Sequence, residues 1–224
     1  MSTLIDYRKK AVLLSKMVKS FSSHGFNVGF LLIDGFALMS YSAAIEPLRA
    51  ANLLAGKTLY RLHHVAVTGP ESISSSGAVI RSTSDVGQAI DLDLLFVVAG
   101  GDPAAFRDAH VLRWLRHLSR NGVVMGGVSG GPVVLATAGL MKKRRMTVHW
   151  EHAPALTESL PSLLLERTLF VQDRDRITCA GGTAPLDMMY ALITQHHGAD
   201  FARRVSDWFL HTEIRPSSGP QRAG

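Results

Sequence analysis

Cysteine is nearly missing: the 224-residue chain has one, Cys179. A lone thiol excludes an internal disulfide, and this cysteine usage leans to a cytoplasmic location. Charge is modest at 19% of residues, and no apolar run reaches the roughly 18 residues that a spanning helix needs, so no membrane partner is expected. The opening stretch "MSTLIDYRKKAVLLSKMVKSF" is basic, but its apolar run is short and interrupted by Lys16 and Lys19. It does not make a secretion signal, and residues 1–25 are expected to be a short amphipathic helix or a loose extension. There is no internal repeat. Hydrophobic residues make up 46%, which excludes a disordered chain and is enough for one well-filled domain. The formal charge of +6 permits contact with nucleic acid without showing it. Its densest cluster, Lys142 to Arg145, reads as a solvated turn before a strand.

What is present alternates between strand and helix patterns. "FNVGFLLI" (26–33) and "DLLFVVAGG" (93–101) are apolar runs of buried-strand type, and "VVMGGV" follows the same rule. Residues 40–56 read as a helix capped by Ser40 and stopped by Gly56. A second helix is expected over 102–122, with Asp102 as N-cap, Pro103 at the first helical position and Asn121-Gly122 as the stop. "ESISSSGAVIRSTSD" suggests a hairpin, and "RTLFVQDRDRITCAG" suggests two strands about a "DRD" turn. "EHAPALTESL", "TAPLDMMYALITQHHG" and "ADFARRVSDWFLHTE" read as helices, the middle one with Thr183 as cap. Apolar strands alternating with helices argue for an α/β fold with a mainly parallel sheet covered on both faces. The Pro/Ser/Gly-rich stretch "IRPSSGPQRAG" has the composition of a linker, and a domain is expected beyond it.

Ligands of such sheets bind beyond the carboxyl ends of the strands. The segments that end strands this way are Asp34-Gly35-Phe36, Gly100-Gly101-Asp102, Val128-Ser129-Gly130 and His149-Trp150-Glu151. "GVSGG" fits the G-x-S-x-G elbow of serine hydrolases. Three readings of Ser129 stand side by side: a nucleophile, which needs a base that the sequence does not single out, a ligand-binding hydroxyl, or a structural cap. Gly130 and Gly131 open a helix whose free N–H groups favour an anion. Trp150 is either a core residue or an aromatic wall for a cation, with Glu151 adding negative charge. Glu46 precedes Pro47, where proline disfavours helical geometry, so an irregular backbone is expected there. His149 and His152 have the spacing of a metal pair, but no third ligand stands out, so no metal is expected. Thr183 sits at a helix start, where capping alone would explain it.

Together "AAIEPLRAAN", "AGGDP", "GGVSGGPVVLATAGLM", "TVHWEHAPAL", "ITCAGGTAPLDMMYALI" and "HTEIRPSSGPQR" cover nearly everything from Phe26 to Arg222. With these pieces the chain resembles the class I glutamine-amidotransferase-like (PfpI-type) domain found at the N-terminus of a subgroup of AraC-family transcriptional regulators. The resemblance implies a flavodoxin-like three-layer sandwich that dimerises. It places residues 26–212 in the ligand-sensing domain and 213–224 at the start of a linker to a helix-turn-helix domain, through which alone DNA would be contacted. Enzymes of the superfamily carry a cysteine at the position of Ser129, and His149 matches their histidine position. A thiolate is stabilised at such a turn, whereas an alcohol is not, so no catalytic residue is expected.

"GVSGGP" with "HWEHA" is most similar to regulators that respond to glycine betaine, dimethylglycine, carnitine or related amino acids. The expected effector is therefore a small zwitterion with a quaternary or methylated ammonium, bound without turnover and without a cofactor. Its carboxylate is expected near Ser129, Gly130 and the Gly101-Asp102 turn, and its cation near Trp150 with Glu46 or Glu151. Phe36 closes an aromatic side, and His149 and Thr183 line the remainder. The alternatives are an enzyme of the PfpI or isonitrile-hydratase kind with Ser129 in the nucleophile position, or a dimerisation module with an empty pocket.

Overall fold

The computed structural model describes residues 25–223; the helix or extension expected at the N-terminus lies outside them. Strand β1 (Phe26–Leu32) leads into helix α1 (Leu38–Ala55), followed by β2 (Tyr60–Ala66). A hairpin of β3 (Glu71–Ile73) and β4 (Val79–Arg81) comes next, then β5 (Ser84–Asp85) and β6 (Leu94–Ala99). The chain continues through α2 (Ala109–Arg120), β7 (Val124–Ser129), α3 (Gly131–Thr137), β8 (Arg145–Met146), α4 (Ala153–Ser159) and β9 (Leu164–Leu165). It then forms β10 (Phe170–Asp173), β11 (Arg176–Cys179), α5 (Ala184–His197) and α6 (Ala199–Trp208).

Seven strands form one sheet in the order β10-β11-β7-β6-β1-β2-β5. β10 runs antiparallel to β11, while the other pairings are parallel. This is a flavodoxin-like α/β sandwich. Its central strands β1 and β6 are apolar on both faces because both faces are covered. Along β1, Phe26, Val28, Phe30 and Leu32 pack into one core with Leu48 of α1 and Met188 and Leu192 of α5. Leu31 points to the other core, with Leu115 of α2, Val134 of α3 and Leu156 of α4.

Helix α2 shows how local sequence sets an element. Asp108 is its N-cap, accepting hydrogen bonds from the amides of His110 and Val111 at 2.8 and 3.0 Å, a cap worth about 1 kcal/mol. Val111, Leu112, Leu115 and Leu118 recur at helical spacing and are buried. The helix therefore begins at Ala109, not at the expected Asp102-Pro103, which instead opens a single 3-10 turn over Pro103–Ala105.

Helix α1 brings two more corrections. It starts after Ala37, so Ser40 lies inside its first turn, and it runs unbroken through Pro47. The local penalty before proline is outweighed by burial of Ala44, Ile45, Pro47 and Leu48 around it. The expected stop at Gly56 holds: its φ of 63° is left-handed and its amide donates to the Leu53 carbonyl.

Candidate functional site

The carboxyl ends of β1, β6, β7 and β11 meet around one sharp turn. Ser129 ends β7 with a φ of 59°, a left-handed conformation costly for a residue with a Cβ. The turn closes because its neighbours lack side chains. A Cβ on Gly127 would lie 2.7 Å from the Pro132 nitrogen, and one on Gly131 would run into the Val97 carbonyl. Gly181, just after β11, has a φ of 96°, and a Cβ there would lie 2.8 Å from Cβ of Ser129 and 2.9 Å from Oγ of Ser40. Ser40 is buried, and its Oγ accepts a hydrogen bond from the Gly182 amide at 2.8 Å. The elbow is thus held by β6 below, β11 beside it and the first turn of α1.

The Ser129 hydroxyl makes no hydrogen bond to another described residue. His149 approaches it through the backbone, its amide 3.4 Å from the Ser129 carbonyl oxygen. The imidazole is engaged elsewhere. Nδ1 faces the Glu151 amide at 3.4 Å and lies 3.8 Å from the Glu151 carboxylate. The ring is tilted against Trp150, with centroids 5.2 Å apart. His152 titrates below the usual histidine range, first through burial and then through the nearby His149, with Glu151 and Asp102 opposing. Among the described residues no side chain of a general base is hydrogen-bonded to the Ser129 hydroxyl, the contact that activates a serine nucleophile.

The chain after α6 packs along the same side. Asp187 of α5 is buried, and its carboxylate accepts from Arg215 Nε at 2.9 Å, Arg215 Nη2 at 2.7 Å, the Arg215 amide at 2.9 Å and His211 Nε2 at 2.9 Å. Arg215 Nη2 also donates to Thr183 Oγ1 at 3.0 Å. The Ser217 carbonyl accepts from the amide of Leu169 at 3.0 Å. Gln221 Nε2 donates to Thr147 Oγ1, the Val148 carbonyl and the Thr168 carbonyl at 3.1, 3.1 and 2.9 Å. The Arg222 guanidinium then stands over the ring of Trp150, 4.6 Å from its centroid.

These positions sort the expected residues. Ser129, Gly130, His149, Trp150 and Glu151 are neighbours, and Asp102 is close enough for its charge to act on His152. Gly101 and Asp102 are exposed beside them. Trp150 is 45% exposed, so it is not a core residue. Thr183 leads α5, yet its side chain does not cap the helix and instead receives Arg215.

Three expectations are corrected. Phe36 is fully buried, edge-on to Tyr41, because its ring completes the core between β1 and α1; it offers no wall to a ligand. Glu46 lies mid-helix and pairs with Arg49 at 2.7 Å, so its charge is already matched on the helix surface. The Gly130 amide donates to the Ala99 carbonyl at 3.0 Å and is not a free anion donor.

Sequence reasoning missed Ser40, which had looked like a cap, and the roles of Asp187, Arg215, Gln221 and Arg222. Among the described residues no group of three or more histidine, cysteine or acidic side chains is arranged to hold a metal. A groove of about 170 Å³ lies between α4 and β9, lined by Leu156, Leu163, Leu165 and Arg167 among others, and includes none of the expected site residues.

The model of the DJ-1/PfpI family matches residues 27–195. The HTH-type transcriptional regulator GlxA of Rhizobium meliloti is 49% identical over 196 residues, which are 87% of this chain and 60% of that protein. The HTH-type transcriptional regulator CdhR of Pseudomonas aeruginosa is 45% identical over 193 residues, 86% of this chain and 57% of the regulator. The chain thus spans less than two thirds of the length of these two regulators. The crystal structure of an AraC family transcriptional regulator from Pseudomonas putida shares the fold, with a TM-score of 0.73 at 24% identity, over 82% of this chain and 99% of that one.

Proposed function

This chain belongs to the DJ-1/PfpI family, and we propose that it is the effector-sensing domain of a transcriptional regulator, binding a small nitrogenous zwitterion without turning it over. The observation that carries the reading is the Ser129 elbow: a strained turn that presents a hydroxyl to which no base among the described residues is hydrogen-bonded. An alcohol of unshifted acidity is not a nucleophile at neutral pH, but it hydrogen-bonds a carboxylate well. The similarity of the chain to HTH-type regulators supports the same role.

In this reading the carboxylate of the effector meets Ser129 and the exposed Gly101-Asp102 turn. Its cation meets Trp150, with the Glu151 carboxylate alongside. A cation over an indole is worth about 2 kcal/mol when desolvated and less where water reaches it. For a half-exposed tryptophan, about 1 kcal/mol is the working figure, roughly a fivefold change in affinity. The regulator would act as a homodimer and contact DNA through its HTH domain.

The test is calorimetry with glycine betaine, dimethylglycine, carnitine and arginine, with NMR of the solution afterwards. Binding of an unconsumed ligand, weakened about fivefold by Trp150→Ala, is the expected outcome. Turnover of a ligand that disappears in Ser129→Ala would instead make the protein an enzyme of the PfpI kind.

A further inference from the structure

We propose that the chain's own Arg222 competes with the effector's cation for the face of Trp150, so that effector binding and docking of the C-terminal segment exclude one another. The proposal rests on the sensing role given above and adds its regulation.

The guanidinium of Arg222 is centred 4.6 Å from the Trp150 ring, inside the range for a cation–π contact. An indole face so covered cannot at the same time cover an ammonium group. The contact is not a chance reach of a long surface side chain, because the preceding residue is fixed. The side-chain amide nitrogen of Gln221 donates to Thr147 Oγ1 and to the carbonyls of Val148 and Thr168, and residues 147–148 lead directly into His149 and Trp150. The segment before it is held too, by Arg215 on the buried Asp187 and by the Ser217 carbonyl on Leu169.

The two anchors are unequal. Asp187 is fully enclosed and meets both Arg215 and His211, whereas the amide oxygen of Gln221 is buried without a hydrogen-bond partner among the described residues. A buried unsatisfied acceptor weakens the docked arrangement at that end. Displacement of Arg222 is therefore expected to loosen the Gln221 end of the segment while Arg215 stays in place. A two-state element whose docked form lacks an open cation face, and whose released form has one, gives an effector the differential affinity that a switch requires.

A latch of cation–π strength at a half-exposed site leaves the open form as the minor population, and apparent affinity is reduced by that fraction. Removing the latch is then expected to tighten binding about three- to sixfold. The experiment titrates glycine betaine, dimethylglycine and L-arginine into the unaltered chain, Arg222→Gln, Arg222→Lys and Trp150→Ala, with hydrogen exchange of residues 216–222 recorded with and without ligand.

The proposal expects tighter binding in Arg222→Gln, binding within twofold of the unaltered chain in Arg222→Lys, and faster exchange of 216–222 when ligand is added. If a ligand binds and Trp150→Ala weakens it, but Arg222→Gln leaves its affinity unchanged or lower, the competition is wrong and the sensing site survives. If none of the three ligands binds the unaltered chain or Arg222→Gln, the zwitterion reading falls, and the competition falls with it.

Discussion

Arg215→Ala removes the cation from a carboxylate that has no access to water. Asp187 is 0% exposed at its side chain, and Arg215 is 37% exposed. Two guanidinium nitrogens donate to the carboxylate, at 2.9 and 2.7 Å. Removing one partner of a buried ion pair costs about 3–5 kcal/mol, because the other charge is left behind. Water can partly replace the exposed side of Arg215, and His211 remains at 2.9 Å, so the lower end, about 3 kcal/mol, is the expectation. In a domain of this size that corresponds to a fall of about 6–12 °C in melting temperature by differential scanning calorimetry. The double variant Asp187→Asn with Arg215→Ala isolates the effect of the stranded charge. With no buried charge to strand, it should be more stable than Arg215→Ala alone by about 1–2 kcal/mol. A melting temperature for Arg215→Ala within about 2 °C of the unaltered chain, or a double variant less stable than the single one, would refute the argument.

Gly131→Ala places a Cβ against the Val97 carbonyl; since backbone must shift, a loss above about 3 kcal/mol in urea unfolding is expected. Ser129→Ala removes a hydroxyl with no hydrogen-bond partner among the described residues, so stability should change by less than about 0.5 kcal/mol, while effector affinity drops about fivefold through one lost hydrogen bond; a large loss of stability would show that the hydroxyl is structural. His196 is held down at about 4 from 6.5, first by burial and then by His197. Between those values the unfolded chain takes up a proton that the folded chain refuses, so stability is full above about pH 6.5 and falls as pH drops through 4. The gap is worth at most about 3 kcal/mol, and His196→Gln should flatten this acid limb in melting experiments recorded between pH 7 and 4.

Much of the fold was legible because each strand of the sheet centre carries its own signal. The runs at Phe26–Leu32 and Leu94–Ala99 are apolar on both faces, which only a doubly covered strand requires. The misreadings share one origin: a local preference overruled by packing. Asp102-Pro103 has the chemistry of a helix start, but the amphipathic stripe begins after Asp108, and the stripe decides. Pro47 should interrupt α1, but the buried face on either side of it holds the helix together. Phe36 stands at a strand end where ligands bind, yet its ring finds a deeper partner in Tyr41. The partners of Asp187 and Trp150 were not legible at all. No periodicity links Asp187 to Arg215, 28 residues on, and a Pro/Ser/Gly-rich composition gives no sign that its few charged side chains are fixed.

The conformation of Ser129 bears on what the elbow is for. A left-handed turn at a strand end is most easily made by glycine, and a side chain there costs about 1–2 kcal/mol. The rest of the turn does use glycine, at Gly127, Gly130 and Gly131, wherever a Cβ would collide. A residue with a Cβ therefore stands at the one elbow position where it is strained in conformation, and its hydroxyl forms no hydrogen bond to another described residue. Strain without an internal partner points to a partner outside the fold. A thiol in that place would be a candidate nucleophile, because the turn favours its anion. An alcohol gains too little from the same turn to ionise, so under the proposed function the interaction left to it is a hydrogen bond with the effector's carboxylate.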